Sequence, residues 1–274
     1  VIVPEDVNLK FRNRSNNQVS IVNGKVSGTL DKRAIGAEEG QLINYICNQY
    51  GPTHSVKFLN ELSRMAVSTC DKLGVTASLD DLDLSSTAIA EIGRINAMAF
   101  AEVDMELYKY ARNYYVSRPG RTPKETLEEN IMLILDEGKM ATGDVAKSEL
   151  KYSAHRNFAT DMAISGARGS MDNLAMMVGS IGQARVRGAR LERGYRQRVL
   201  PHFKRGGLGA TEKGFISSSF KRGLEPTEFF MLSVSGRESL IDTAVRTSKS
   251  GYMQRRLINA MDEIKVLDDE NRSV

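Results

Sequence analysis

The sequence predicts a mainly α-helical protein with a small β part at its N-terminus, and three features support this α+β fold class. The run VSIVNGKVSGTL places Asn23 and Gly24 between two alternating segments, which is the strongest short-range signal for a β-hairpin. Residues 86–117 repeat apolar side chains at helical spacing, which predicts a long amphipathic helix. No proline follows Pro226, so a second long helix can begin there with the proline in its first turn.

Residues 1–78 are predicted to form one α+β domain. We expect β-structure over residues 1–35 and two helices after it. These helices are predicted to end at Gly51 and Gly74, because a glycine just past a helix end readily adopts the left-handed cap conformation. The acidic segment over residues 78–86 is predicted to be a linker to the next domain.

Residues 79–165 are predicted to form a helical domain built on a hairpin of two helices. The first helix is expected over residues 86–117. The second is expected to begin with a capping box at Thr122 and Glu125 and to stop at Gly138. The apolar face of the first helix is predicted to comprise Ile92, Ile95, Ala99, Val103 and Leu107.

Residues 144–180 are predicted to be helical, with a break at SGARGS, residues 165–170. Residues 182–222 are Gly- and Arg-rich and are predicted to be largely irregular, and a long helix is predicted over residues 226–264. The net charge of +4 and the pI of about 9.0 favour a polyanionic partner only weakly. One stretch carries a single acid, Glu192, among many cations, which fits either contact with nucleic acid or a solvated basic surface. These cations are Arg185, Arg187, Arg190, Arg193, Arg196, Arg198, Lys204 and Arg205.

Composition and spacing predict no catalytic residue, no metal site and no membrane span in this sequence. Cys47 and Cys70 lack metal-ligand spacing and are interpreted as buried or free thiols. No segment reaches the length of about eighteen apolar residues that a membrane helix needs. The histidines are scattered, and no hydrolase elbow or Gly-rich phosphate loop is present. Two linker-like acidic runs are interpreted as solvated charge: Asp80, Asp81 and Asp83, and Asp268, Asp269 and Glu270.

The long helix predicted from residue 226 has a face that is not apolar. The middle of this face is small or hydroxylated and is surrounded by cations, whereas a helix packed on a core shows a continuous apolar face. Small residues together with cations suit close approach to a phosphate backbone or a base pair. Along this face, at spacings of three and four residues, lie Leu240, Ala244, Thr247, Gly251 and Arg255.

The segment DTAVRTSKSGYMQRRL, residues 242–257, resembles the bridge helix of the largest subunit of multisubunit DNA-dependent RNA polymerases. Upstream of it, the blocks GARGSMDNL, GQARVRGAR, LPHFK, GFISSSF and GLEPTEFF follow the order of that family. The resemblance is specific because ordered blocks cover residues 166–257. The form is most similar to the archaeal and eukaryotic branch of the family, and we expect an archaeal protein.

The resemblance implies both a domain plan and an activity. The plan comprises a pore-like domain over residues 1–78, a funnel domain over 79–165, a pore-lining segment over 166–225, and the bridge helix with the start of the cleft domain over 226–274. The implied activity is template-dependent RNA synthesis from NTPs, which enter through the funnel. The implied partners are the second-largest subunit, the remaining segments of the largest subunit, the DNA template and the nascent RNA, with no membrane. The implied location is cytoplasmic, or nuclear in a eukaryote.

The family's motif for binding catalytic magnesium, NADFDGD, does not occur in the sequence. The resemblance therefore implies that Mg²⁺ is bound outside this chain in the assembled enzyme, and that this chain alone is inactive. Both ends look cut from a longer polypeptide.

The resemblance also implies roles for residues ahead of the bridge-helix motif. Arg168 would lie near the triphosphate of the incoming nucleotide, since a guanidinium matches phosphate oxygens; the alternative is a surface arginine in a turn. Gln183 would line the pore against the bridge helix; the alternative is a capping or loop amide. Ala184 departs from the second glutamine of the family, whereas Glu238 is retained and is expected to pair with the pore region.

The residues implied to face the template or the RNA–DNA hybrid are Arg246, Thr247, Ser248, Gly251, Tyr252, Arg255 and Arg256. For Thr247 and Ser248 the alternative is tight helix packing. Tyr252 suits base stacking, with a place in the core as the alternative. Gly251 is a natural bending point because glycine lowers helix propensity by ~1 kcal/mol relative to alanine, so we expect a kink over residues 246–252 during translocation. In the preceding stretch Arg237 and Glu238 are retained, and the residues that depart from the family pattern are Met231, Leu232, Ser233, Val234, Ser235 and Ser239.

A second interpretation is a stand-alone basic helical protein that binds nucleic acid, or that regulates a polymerase, without catalysis. The two interpretations differ in the upstream reading frame, because a polymerase requires NADFDGD to be encoded before Val1.

Overall fold

The computed structural model describes residues 3–4, 6–13, 16–151, 157–192 and 194–264. The helices in these ranges are α1 (Lys32–Ile35), α2 (Gln41–Tyr50), α3 (Pro52–Leu73), α4 (Ser86–Ala111), α5 (Pro123–Lys151), α6 (Phe158–Ser165), α7 (Met171–Val178) and α8 (Pro226–Ala260). The strands are β1 (Leu9–Arg12), β2 (Gln18–Val22), β3 (Lys25–Ser27), β4 (Gly182–Gln183), β5 (Arg185–Val186), β6 (Ala189–Arg190) and β7 (Phe215–Ile216). Short 3₁₀ turns occur at Asp80–Leu82 and Thr211–Lys213.

The predicted fold class is confirmed, since long helices dominate and all the sheets in the described residues are small and antiparallel. The chain divides into two compact units. The first unit comprises Val1–Ala101, Asp136–Ile181 and Ser217–Gly223, and the second comprises Glu102–Leu135, Gly182–Ile216 and Leu224–Val274.

A three-stranded antiparallel sheet in the order β1-β2-β3 opens the first unit. The predicted hairpin is confirmed: Val22 pairs with Lys25, and Asn23 and Gly24 between them have φ angles of 50° and 70°, as a type I′ turn requires. The prediction of β-structure through residue 35 is wrong at α1. That helix forms because the carboxylate of Asp31 accepts the backbone N–H of Arg33 at 3.0 Å and so caps the first turn.

The first unit has two buried apolar clusters. One is formed by the inner face of the sheet with α1, α2 and the start of α3, and includes Val19, Ile21, Leu42, Ile46 and Phe58. The other joins α5, α6 and α7 and includes Ala146, Leu150, Ala163, Leu174 and Val178. In the second unit the largest fully buried side chains include Leu127, Ile131, Phe215, Ile216 and Met231.

The predicted ends of α2 and α3 are confirmed at Gly51 and Gly74, each of which donates its backbone N–H back into the preceding helix. α4 ends at Ala111 rather than at Ser117, because Asn113 adopts the left-handed conformation with φ of 57° and breaks the helix. The predicted apolar face of α4 is only partly buried. Ile92, Ala99 and Val103 are buried, whereas Ile95 and Leu107 are half-buried.

The predicted capping box at the start of α5 is confirmed. The carboxylate of Glu125 accepts the N–H of Thr122 at 2.9 Å, and the Thr122 hydroxyl accepts the N–H of Glu125 at 3.3 Å. The first of these bonds lowers the pKa of the Glu125 carboxyl below its usual range. The predicted stop at Gly138 is wrong, because α5 continues to Lys151. Gly138 is buried, and a Cβ placed on it would lie 3.0 Å from the Cβ of Ala99, so the glycine permits close helix packing.

Replacing Gly138 with leucine is expected to lower the free energy of unfolding by about 1–3 kcal/mol, since the added side chain meets Ala99 inside packed structure. Gly93, on α4, is the matched control, because a Cβ there meets no atom within 4 Å. Gly93→Leu is expected to be neutral or stabilising by up to about 1 kcal/mol through helix propensity. Urea denaturation followed by circular dichroism measures both changes, and equal effects of the two substitutions would contradict the packing role.

The last helix, α8, begins with Pro226 in its first turn and with a reciprocal capping box between Glu225 and Glu228. It continues without interruption to Ala260, four residues short of the predicted end at 264. The predicted break between α6 and α7 is confirmed at residues 166–170. His155 and the acidic run Asp268, Asp269 and Glu270 lie outside the described residues.

Candidate nucleic-acid interface

Most of α8 is exposed to solvent. Met231 is its buried residue, and every residue of the outer segment, which we define as residues 239–260, is exposed. Most helical stability in proteins comes from tertiary packing, and no other element among the described residues buries the outer segment. Its exposed large apolar side chains are Leu240, Ile241, Val245, Tyr252, Met253, Leu257 and Ile258.

Three hydroxyl groups of the outer segment, those of Thr243, Thr247 and Ser250, bond back to the helix itself. The hydroxyl of Thr247 donates to the carbonyl of Thr243 at 2.8 Å, and that of Thr243 donates to Ser239 at 2.9 Å. Ser250 donates to the carbonyl of Thr247 at 3.0 Å. These side chains therefore present small, largely satisfied surfaces, which allow close approach of a flat partner. Such back-bonding also weakens helical hydrogen bonds and favours bending.

The cations of the outer segment are exposed. Arg246 pairs with Asp242 at 2.7 Å on the same helix, and its side chain is 77% exposed. The guanidinium of Arg256 lies 5.6 Å from the ring centroid of Tyr252. The side chain of Arg255 has no hydrogen-bond or ion-pair partner among the described residues. These guanidinium groups are available to phosphate oxygens, which they match in geometry.

The seven residues predicted to face template or hybrid all lie on this outer segment. Thr247, Gly251 and Arg255 are four residues apart and share one face, and Tyr252 and Arg256 share the neighbouring one. All seven are exposed. The two alternatives, core packing of Tyr252 and tight helix packing of Thr247 and Ser248, therefore do not occur among the described residues. Their contact with nucleic acid stays a prediction.

The hairpin of β5 and β6 is attached to the N-terminal half of α8 by two polar contacts. Arg187, at the hairpin turn with φ of 53°, donates to the carboxylate of Glu238 at 3.1 Å. The hydroxyl of Ser235 donates to the carbonyl of Arg185 at 2.8 Å. A cavity of about 720 Å³ lies beside these contacts and extends to Arg246. Glu238 thus pairs with the segment that the resemblance assigns to the pore, and its pore-lining role stays a prediction.

Gln183 joins two segments of the second unit. Its side-chain nitrogen donates to the carbonyls of Ala184 and Lys213, both at 2.8 Å. The side-chain oxygen is buried and has no partner among the described residues. Ala184 is buried and donates its backbone N–H to Gly214 at 2.9 Å. These bonds are what a loop amide would make, and the pore-lining role of Gln183 is untested.

Arg168 lies in the first unit, in the loop between α6 and α7. Gly166 caps α6 in the left-handed conformation, and the hydroxyl of Ser170 accepts the N–H of Asn173 at 3.2 Å to cap α7. The Arg168 side chain is exposed, and its guanidinium has no partner among the described residues. Both alternatives, a phosphate contact and a surface arginine, fit this position.

Two arginines of the basic run have structural roles that the sequence analysis missed. The side chain of Arg190 is 0% exposed and donates to the carboxylate of Glu128 at 2.7 Å and to the carbonyl of Leu208 at 3.0 Å. Arg198 donates to the carbonyls of Pro201 and Phe203 at 2.9 and 3.1 Å. No signal in the sequence identifies these partners, because Glu128 is distant in the chain and the others are backbone groups.

No group of three or more His, Cys, Asp or Glu side chains in the described part of the chain is placed to hold a metal ion. In the first acidic run, the Asp81 carboxylate accepts the N–H of Ser78 at 2.9 Å, and Asp83 pairs with Lys221 at 2.7 Å. None of the helices among the described residues is long and apolar enough to cross a membrane.

Three family models match this chain, in sequence order. They are RNA polymerase Rpb1, domain 3, over residues 1–82, domain 4 over residues 107–216, and domain 5 over residues 223–273. The chain is also 42% identical to the DNA-directed RNA polymerase subunit Rpo1N of Halococcus morrhuae, over 95% of this chain and 74% of that protein. The chain belongs to the family of RNA polymerase largest subunits, in its Rpo1N form. The resemblance drawn from the sequence is thereby confirmed, and the stand-alone binding protein is not favoured.

Other Rpo1N proteins are similar along the full length of this chain. Identity is 39% with the protein of Methanothermobacter thermautotrophicus and 38% with that of Thermoplasma acidophilum, each over 100% of this chain. The chain spans about a third of the length of these two relatives, 33% and 32% respectively. These relatives agree with the predicted archaeal type.

Proposed function

We propose that this chain is the part of the polymerase largest subunit that supplies the bridge helix and the walls of the NTP channel during template-dependent RNA synthesis. The observation that carries the proposal is the outer segment of α8, which is fully exposed, small in its middle and lined with cations. A protein face of this kind is stabilised by a partner that is both anionic and flat, as a base pair with its phosphates is.

The remaining predicted residues are proposed to act along the path of the NTPs. Arg168 contacts the triphosphate, and Gln183 and Glu238 line the pore beside α8. Arg168 is an exposed cation in a glycine-flanked loop, and Glu238 is held in place by Arg187 at 3.1 Å. The proposed partners are the second-largest subunit, the other segments of the largest subunit, the DNA template and the nascent RNA.

Magnesium is proposed to be bound by carboxylates outside this chain, because the family's magnesium-binding motif, NADFDGD, does not occur in this sequence. When bound, the metal stabilises the attacking and leaving oxygens of the nucleotidyl transfer. The contribution of this chain is positional. The face of Thr247 and Gly251 supports the template base, and the arginines around it hold the phosphate backbone.

A photo-reactive residue at Thr247 in the assembled polymerase tests the central contact. Irradiation of a transcribing complex is expected to crosslink it to the template strand or the RNA 3′ region. The control is the same residue at Val67 on α3, which is 71% exposed and carries no predicted nucleic-acid role. Crosslinks at both positions, or at neither, would contradict the assignment of α8 as the hybrid-facing helix.

A charge-reversed double variant tests whether Arg255 and Arg256 contact phosphate groups. Arg255→Glu with Arg256→Glu is expected to reduce RNA synthesis by about tenfold or more, since two phosphate contacts become repulsive. The control is Lys57→Glu with Arg64→Glu, which replaces two exposed cations on α3 and makes the same change in net charge. Full RNA synthesis by the double variant would show that the arginines do not hold the template.

A further inference from the structure

A second cavity in the second unit has no part in the site described above. It has a volume of about 510 Å³ and is lined by the end of α4, the start of α5 and the irregular segment between residues 191 and 213. No residue of α8 lines it. A cavity of this size holds a ligand of nucleotide dimensions.

Positive charge is in excess around this cavity. Four cationic side chains line it, Lys124, Arg198, Lys204 and Lys213, against two carboxylates, Glu192 and Glu212. Glu212 is engaged by the backbone N–H of Gly209 at 3.1 Å, so its charge is partly compensated locally.

The lysines are only partly neutralised by the protein. The ammonium group of Lys213, a residue only 9% exposed, has Glu192 at 3.3 Å as its acidic partner. Lys124 and Lys204 are exposed, and neither has an ion-pair partner among the described residues. A nearly buried ammonium with one acidic partner still has donor capacity that an anion in the cavity can use.

The placement of Lys124 adds to this argument. It lies in the first turn of α5, where the helix dipole already concentrates positive potential and where a cation is unfavourable. An anion bound in the cavity would remove this repulsion, because lysine and helix terminus both attract it.

The other walls are apolar and aromatic. Tyr110 and Phe203 line the cavity with Leu191, Val199 and Leu208. Arg198 shapes this wall through its bonds to the carbonyls of Pro201 and Phe203, and its Nε is buried without a partner among the described residues. Cations on one side and aromatic rings on the other suit a phosphate chain joined to a base.

We propose that this cavity binds a polyphosphate chain, either as inorganic polyphosphate or as part of a nucleoside polyphosphate. Lys124, Lys204 and Lys213 hold the phosphates. Tyr110 and Phe203 contact the base when one is present.

Lysine acetylation of the assembled polymerase in EDTA, followed by mass spectrometry, tests the proposal without depending on RNA synthesis. Millimolar inorganic triphosphate or ATP is expected to lower the labelling of Lys124 and Lys204 about fivefold, in proportion to occupancy. Labelling of Lys57 on α3 is expected to stay constant. Protection by both ligands identifies the phosphate chain as sufficient, and protection by ATP alone identifies a nucleotide site.

A charge-reversed variant separates binding from general shielding. In Lys204→Glu, protection of Lys124 is expected to be lost, whereas in Lys57→Glu it is expected to persist. Unchanged labelling of Lys124 and Lys204 with either ligand overturns the proposal. So does protection of Lys57 to the same degree, which would indicate non-specific association.

Discussion

Replacing Arg190 with alanine is expected to lower the free energy of unfolding by about 3–5 kcal/mol, the largest stability effect that this structure indicates. The Arg190 side chain is 0% exposed and Glu128 is 21% exposed, so the substitution leaves a carboxylate with little access to water and without its cation. The carbonyl of Leu208 also loses its donor. Urea denaturation of the 274-residue chain, followed by circular dichroism, measures the change.

The matched control is Arg187→Ala. Arg187 lies on the same hairpin and also pairs with a glutamate, but its side chain is 81% exposed. Exposed pairs contribute about 0–1 kcal/mol, so little change is expected. The double replacement Arg190→Met with Glu128→Leu is expected to recover most of the lost stability, since no unpaired charge remains. Equal losses of unfolding free energy for Arg190→Ala and Arg187→Ala would show that burial of the ion pair does not determine its contribution to stability.

Gly251→Ala is expected to slow elongation by the assembled polymerase about fivefold, if α8 bends at this point in each cycle. Alanine stabilises the straight helix by up to ~1 kcal/mol, which corresponds to about that factor in the equilibrium between straight and bent forms. The straight helix accepts the change, because a Cβ on Gly251 meets no atom within 4 Å. A slower elongation rate would therefore indicate that the substitution hinders bending of α8, and not that it creates a steric clash.

Gly236→Ala provides the control within the same helix. A Cβ on Gly236 also meets no atom within 4 Å, and this residue lies in the half of α8 that is attached to the β5–β6 hairpin. The back-bonded hydroxyls of Thr247 and Ser250 lie within about one helical turn of Gly251, whereas that of Thr243 lies about midway between the two glycines. Elongation and pausing that are unchanged in Gly251→Ala, or slowed equally in both variants, would contradict a bend at this position.

The sequence by itself was sufficient for features set by a few neighbouring residues. The Asn23-Gly24 hairpin, the Thr122–Glu125 capping box and the glycine ends of α2 and α3 were predicted because each depends on local backbone conformation and local hydrogen bonds. The family was also recognisable from sequence, because its motifs are contiguous blocks in a fixed order.

The tertiary structure decided the features that depend on partners distant in the chain. Gly138 looked like a helix end, yet Ala99 packs against it and α5 continues. Arg190 looked like one cation in a basic surface, yet Glu128 and the carbonyl of Leu208 enclose it. The outer segment of α8 is exposed because no other described element packs on it, and its own sequence does not determine this. Packing and desolvation are non-local, so residue type and spacing leave them undetermined until the chain is folded.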